Sequence, residues 1–226
     1  MNIMGYMNET GMLFRGPVEY FRRLDPENSL RPTLRLFLFL LLGATVLLFL
    51  AALANLSTLK EASVSMHATI PGLQSGGFAN ATPWNRLIFP LFWFVLIALT
   101  GLFRHATVTL FGESNRLLAT TQAISFAGFV PGIVLFTLSG LIATFFPAVP
   151  GSMQGAGVRF SIWISLISVI LSIILDARIC ISGFKLRYGQ NSGRAFVTWI
   201  SPVLITGFTF FVLYALIIVL VVMRTR

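Results

Sequence analysis

Long apolar runs alternate with shorter polar stretches along most of the chain. Five runs cover about 33–53, 86–103, 123–146, 160–183 and 197–223. Each approaches or exceeds the roughly 20 apolar residues that a helix needs to cross the hydrocarbon core of a bilayer. The stretches between them are rich in Gly, Pro, Ser and Asn, which favour loops. The pattern predicts an all-α fold, a polytopic transmembrane helical bundle with about five spans.

The composition indicates the same class. Apolar residues make up 56% of the chain and charged residues 10%, whereas a soluble globular domain has roughly 25% charged residues. The net charge of +9 fits a membrane protein, in which basic residues mark the cytoplasmic edges of spans. No basic patch interleaved with aromatic residues lies outside the apolar runs, so we expect no nucleic-acid partner.

Lysine and arginine are divided unevenly between the two sides of the five-span arrangement, and the two termini lie on opposite sides. The side of the N-terminus collects Arg15, Arg22, Arg23, Arg31, Arg35, Arg104, Arg116, Lys185, Arg187 and Arg194. The other side collects Lys60, Arg86, Arg159, Arg224 and Arg226. Because the richer side is usually cytoplasmic, we predict a cytoplasmic N-terminus and a C-terminus outside the cell or in a lumen.

A cytoplasmic segment, residues 1–32, precedes the membrane domain, residues 33–226. This segment contains GPVEYFRRLDP, in which apolar residues recur at helical spacing. We predict a short interfacial helix with its apolar residues in the headgroup region and its arginines near anionic lipid. These residues are Val18, Phe21, Arg22, Arg23 and Leu24. The helix is either a membrane-anchoring flank or a docking surface for a cytosolic partner.

The fourth run carries small polar residues at helical spacing on one side, with an acid at the end of the row. The row consists of Ser161, Ser165, Ser168, Ser172 and Asp176. Small hydroxyl residues let helices approach closely, and an acid in a span faces protein or water. The row therefore forms either a helix-packing seam or a polar pathway that ends at Asp176. In the seam, Asp176 accepts hydrogen bonds from Arg194, Arg116 or a backbone amide.

The third run has a complementary surface of small residues. Gly128 and Gly132 are four residues apart, and Pro131 between them predicts a kink in that helix. Glycines at this spacing allow close helix packing.

Motifs of common catalytic sites are absent from the sequence. It contains no His-Glu-x-x-His, no Gly-x-Ser-x-Gly and no phosphate-binding Gly-x4-Gly-Lys. Neither His67 nor His105 has a second ligand at metal-binding spacing. We therefore expect no enzymatic activity, no metal and no cofactor.

Three stretches resemble the Ypt-interacting-protein (Yip) domain family, especially its short bacterial branch. They are PVEYFRRLDPENSLRPTLRLFLFL, HATVTLFGESNRLLATTQAISFAGFVP and GFKLRYGQNSGRAF. The positions that match the family's motifs are His105, Gly112, Pro131, Gly183, Lys185, Gly189, Arg194 and Ala195. Two positions depart from the pattern: Tyr188 stands where histidine is common, and Glu113 where a second glycine is common.

The resemblance implies a helical bundle with no known enzymatic activity. Eukaryotic members are linked to vesicle traffic and small GTPases, but they carry a longer polar N-terminal region that is missing here, which argues against GTPase binding. The short form favours a bacterial cytoplasmic membrane, with a eukaryotic endomembrane as the alternative.

Three functions follow as hypotheses. The first is a non-enzymatic scaffold or accessory subunit that contacts lipid and other integral membrane proteins or its own copies. The second is a small transporter or channel that uses the polar row ending at Asp176. The third is a membrane-trafficking or membrane-shaping factor that acts through the interfacial helix.

Overall fold

The computed structural model describes residues 3–25, 28–54, 85–112, 117–145 and 156–224. These residues form seven helices and no strand. The helices are α1 (Ile3–Arg15), α2 (Pro17–Arg23), α3 (Leu30–Ala54), α4 (Asn85–Leu110), α5 (Leu118–Phe145), α6 (Ala156–Tyr188) and α7 (Ser192–Arg224). The all-α prediction is confirmed. The polar loop predicted after the first span, with His67, lies outside the described residues.

Five of these helices are long and apolar enough to cross a membrane. The candidate spans are Leu30–Ala51, Trp93–Leu110, Leu118–Ile142, Trp163–Tyr188 and Ser192–Tyr214. They confirm the five-span prediction, and they are compatible with a multi-pass integral membrane protein. The largest difference in boundaries is in α4, which continues to Leu110 instead of ending near residue 103, because the following HATVTL stays helical.

One end of the bundle, which we call the basal end, holds the start of α3, α5 and α7 and the end of α4 and α6. Two backbone reversals lie there. Gly112 follows α4 with a φ of 76°, and Gly189 follows α6 with a φ of 64°. Glycine adopts this left-handed conformation without the steric penalty of a side chain.

Helix α5 packs against α3, α4 and α6, and its glycines let the neighbours approach closely. A Cβ atom at Gly128 would overlap the carboxylate of Asp176 and the sulfur of Cys180. A Cβ atom at Gly132 would lie 4.0 Å from the Cβ of Ser172. Pro131 lies inside α5.

The N-terminal helices pack onto this bundle. Leu13, Tyr20 and Phe21 are buried in the same hydrophobic core as Phe37 and Phe184. The prediction that Phe21 contacts lipid is therefore wrong. Its ring lies against α6 at Gly183, where an added Cβ would be 3.0 Å from it.

The rest of the predicted interfacial helix remains accessible. Val18, Arg22 and Arg23 are exposed, and Leu24 is half-buried. Arg187 of α6 donates hydrogen bonds to the carbonyl oxygens of Phe21 and Leu24. These bonds fix the C-terminal end of α2 to the bundle. Helix α1 itself was not predicted.

Candidate functional site

An ion pair lies inside the bundle between Arg104 of α4 and Asp176 of α6. The distance from Arg104 Nη2 to Asp176 Oδ2 is 3.2 Å. The Arg104 side chain is 3% exposed and the Asp176 side chain 16%. Moving two charges out of water costs several kcal/mol per ion, so a buried pair persists only where further hydrogen bonds satisfy both groups.

Two more side chains complete the cluster. Trp199 of α7 donates its Nε1–H to Asp176 Oδ2 at 2.6 Å, and the thiol of Cys180 donates to Asp176 Oδ1 at 3.2 Å. Arg104 contacts Cys180 Sγ through Nη1 at 3.2 Å and the Trp199 carbonyl oxygen through Nε at 3.3 Å. We call Arg104, Asp176, Cys180 and Trp199 the clamp.

The clamp connects α4, α6 and α7, and it rests on α5 at Gly128. Both carboxylate oxygens have a donor, and all three guanidinium nitrogens have a partner. The opposite charges of Arg104 and Asp176 cancel. Such an arrangement determines the relative positions of helices, because a shift of any one helix breaks a charge-assisted hydrogen bond.

The prediction that Arg194 donates to Asp176 is wrong, because the donors are Arg104, Cys180 and Trp199. Arg194 is exposed, and its guanidinium carbon lies 5.8 Å from the centre of the Phe111 ring. Arg116 lies outside the described residues. The sequence does contain a signal for Arg104, which shares one side of α4 with Ile97, Gly101 and Val108 at spacings of four, three and four. Ile97, Arg104 and Val108 are all buried, so this row faces the core.

The serine row of α6 has mixed surroundings. Ser168 and Ser172 are buried, and Ser165 is exposed. The side chain of Ser161 lies outside the described part. The Ser172 hydroxyl donates to the carbonyl oxygen of Ser168 in its own helix at 2.6 Å. Asp176 and Cys180 supply the cross-helix bonds described above.

A second hydrogen-bonded group lies at the basal end and includes two positions singled out by the family resemblance. The Tyr188 hydroxyl is 2.7 Å from Thr121 Oγ1 and donates to the Leu117 carbonyl oxygen at 3.2 Å. His105 Nδ1 lies 3.4 Å from the same Thr121 oxygen. Tyr188 and His105 therefore meet through Thr121, which joins α4, α5 and α6.

The other motif residues also lie at the basal end, apart from Pro131 in the interior of α5. Lys185 Nζ donates to Ser192 Oγ at 3.1 Å across the turn from α6 to α7, and Ala195 is buried. Within the described ranges, no group of three or more His, Cys, Asp or Glu side chains is placed to hold a metal ion.

No protein-family model, curated protein or solved structure matches the chain. The resemblance to the Yip domain family stays a prediction.

Proposed function

We propose that this chain is a non-enzymatic integral membrane protein that serves as a scaffold or accessory subunit of a membrane protein assembly. The observation that carries the proposal is the change in α7 at Pro202. Before it, Ala195, Thr198 and Ser201 are buried in the bundle. From Val203 to Tyr214 every side chain except that of Ile205 is exposed.

This stretch of α7, residues 203–214, has the composition of a contact surface. Its exposed aromatic residues are Phe208, Phe210, Phe211 and Tyr214. Aromatic side chains bury a large area and contribute strongly to binding. Gly207 lies among them, and a Cβ atom built there would meet nothing within 4 Å. An open notch at a glycine lets a second transmembrane helix approach closely.

The clamp supports the same function from inside the bundle. It holds the first half of α7 to α4 and α6 through Trp199. The exposed stretch 203–214 is thereby attached to a fixed base. A scaffold needs this combination, because a partner helix binds with less loss of entropy to a surface that is already ordered.

We further propose that the protein lies in a bacterial cytoplasmic membrane, with the basal end in the cytoplasm. Exposed basic side chains gather at that end, and they are Arg15, Arg22, Arg23, Arg31, Arg35, Lys185 and Arg194. The positive-inside rule favours this orientation. The resemblance to the Yip domain family agrees with it.

The transport hypothesis has less support. A proton route needs a carboxylate that is free to accept a proton, but both oxygens of Asp176 have donors in the clamp. The buried Ser172 hydroxyl is engaged by its own helix.

The test is photo-crosslinking in the native membrane from position 211. A photoreactive side chain at Phe211 should give one discrete adduct with another membrane protein. Gly207→Leu should abolish the adduct because it fills the notch. Thr209→Leu is the matched control, since residue 209 lies about 200° around the helix from residue 207. Only a diffuse background, or an adduct that survives Gly207→Leu, would contradict the proposed surface.

A further inference from the structure

Helix α1 carries exposed apolar residues at its N-terminal end. Ile3, Met4 and Met7 are 67%, 75% and 67% exposed. The opposite side of the same helix packs on the bundle through Leu13, which is fully buried. Large apolar side chains clustered on an accessible surface indicate an interaction site.

Two contacts fix the position of α1 on the bundle. The ring of Tyr6 stacks on Phe39 of α3, with centroids 4.3 Å apart and an interplanar angle of 11°. At the other end, Arg178 Nη2 donates to the carbonyl oxygen of Arg15 at 3.2 Å. A cation at the last carbonyl groups stabilises a helix terminus. Helix α1 therefore crosses the side of the bundle between α3 and α6.

The contact with Phe39 sets the depth of α1. Phe39 is nine residues beyond Leu30, where α3 begins, which is about 14 Å along the helix axis. Interfacial helices lie roughly 5–10 Å into the boundary between headgroups and acyl chains. If the first turns of α3 pass through the headgroup region, the N-terminal half of α1 lies at that boundary.

Two arginines are placed where headgroups would lie. Arg31 and Arg35 precede Phe39 by eight and four residues, so all three share one side of α3. Both arginines are exposed, and they lie about 12 and 6 Å from Phe39 toward the basal end. The two arginines of α3 therefore lie between the apolar end of α1 and the basal end.

We infer that α1 is a lipid-binding helix. Ile3, Met4 and Met7 enter the acyl chains of the leaflet at the basal end, and Arg31 and Arg35 bind the headgroups of anionic phospholipids. The charge of the arginines selects anionic over zwitterionic headgroups, and the depth of Tyr6 matches the usual position of tyrosine at a membrane interface. The inference does not depend on the scaffold proposal.

Depth measurement with spin labels tests the first half of this inference. The full chain carrying Met4→Cys is labelled and placed in vesicles of phosphatidylcholine with phosphatidylglycerol. Asn191→Cys, in the exposed turn after α6, gives the reference accessibility of a label in water. Ile173→Cys, on the exposed side of α6, gives the reference accessibility of a label in lipid. Unsubstituted protein controls for the native Cys180, which is buried.

The label at residue 4 should be more accessible to oxygen than to a water-soluble nickel complex. The label at residue 173 should show the same preference. A label as open to nickel as that at Asn191 would place α1 in water and overturn the inference. A label that neither reagent reaches would mean that protein covers this side of α1, for example a second copy of the chain. That result would also overturn it.

Lipid selectivity tests the second half. Arg31→Gln with Arg35→Gln should lower the preference of the protein for phosphatidylglycerol over phosphatidylcholine, by about fivefold per arginine. Lys185→Gln with Arg194→Gln removes the same charge from the basal end and should have a smaller effect. An equal loss in both pairs would show that the attraction is general and not located at α3, and would overturn the assignment of Arg31 and Arg35.

Discussion

At the scale of single residues, the buried ion pair has the largest energetic consequence among the contacts described. Arg104 and Asp176 are both shielded from solvent, so either charge left alone would stay in a region of low dielectric. Removal of one partner of a buried pair typically costs about 3–5 kcal/mol, whereas replacement of both by apolar residues is often close to neutral.

The clamp therefore predicts a non-additive mutant cycle. Asp176→Leu and Arg104→Met should each lower the free energy of unfolding by about 3–5 kcal/mol, and the double variant should lose less than the sum of the two. Thermal unfolding in a mild detergent measures this. Glu19→Gln is the control, because it removes an exposed ion pair with Arg23 of similar length, 3.3 Å, and should cost less than about 1 kcal/mol. Additive losses would contradict the clamp.

The sequence predicts part of this site. The acid at position 176 and the glycines of α5 are visible as small and polar residues at helical spacing. The partner of Asp176 is harder to find, because Arg104 follows an apolar run and resembles an ordinary basic residue at the end of a span. Because α4 continues to Leu110, Arg104 lies within the helix and not at its end, on the same side as the buried Ile97 and Val108. Spacing along one helix cannot show which residue of another helix lies opposite.

At the scale of helices, the long apolar elements are predictable and α1 is not. A span needs only length and hydropathy, which are local properties of the sequence. Helix α1 contains Gly5 and Gly11, which disfavour an isolated helix, and its apolar residues are interrupted by Asn8 and Glu9. Its stability comes from tertiary contacts such as Tyr6 with Phe39, and these are invisible in the sequence.

The docking of α1 should depend on pH through Glu9. Its Oε2 atom is buried without a hydrogen-bond partner in the described part of the chain, and burial raises the pKa of this carboxyl above 4.5. The docked state therefore binds a proton more tightly than the undocked state does. Docking is most favourable below pH 4.5, and the advantage is lost as the pH rises through the raised pKa.

A spin label at Met7→Cys measures this effect when its mobility is recorded below pH 4.5 and again above the raised pKa of Glu9. The label should become more mobile as the pH rises, and Glu9→Gln should remove the change because an amide does not titrate. Glu19→Gln alters an exposed acid of α2 and should leave the pH response intact. If the pH response persists in Glu9→Gln, a group other than Glu9 causes it.

At the scale of the whole molecule, the described helices divide into a closed part and a projecting part. The clamp and the packed glycines join α4, α5, α6 and the start of α7, while α1 crosses the side of the bundle and α2 packs against the last turns of α6. In the described part of α7 beyond Pro202, residues 203–214 lack comparable burial. This division is the basis of the proposed role, since the closed part supplies rigidity and the projecting part supplies contact area.

Native mass spectrometry of the chain, purified in mild detergent from its own membranes at native expression level, tests the central claim most directly. The scaffold account predicts a stoichiometric complex with at least one different membrane protein. A lone chain, or only copies of this chain, would contradict it.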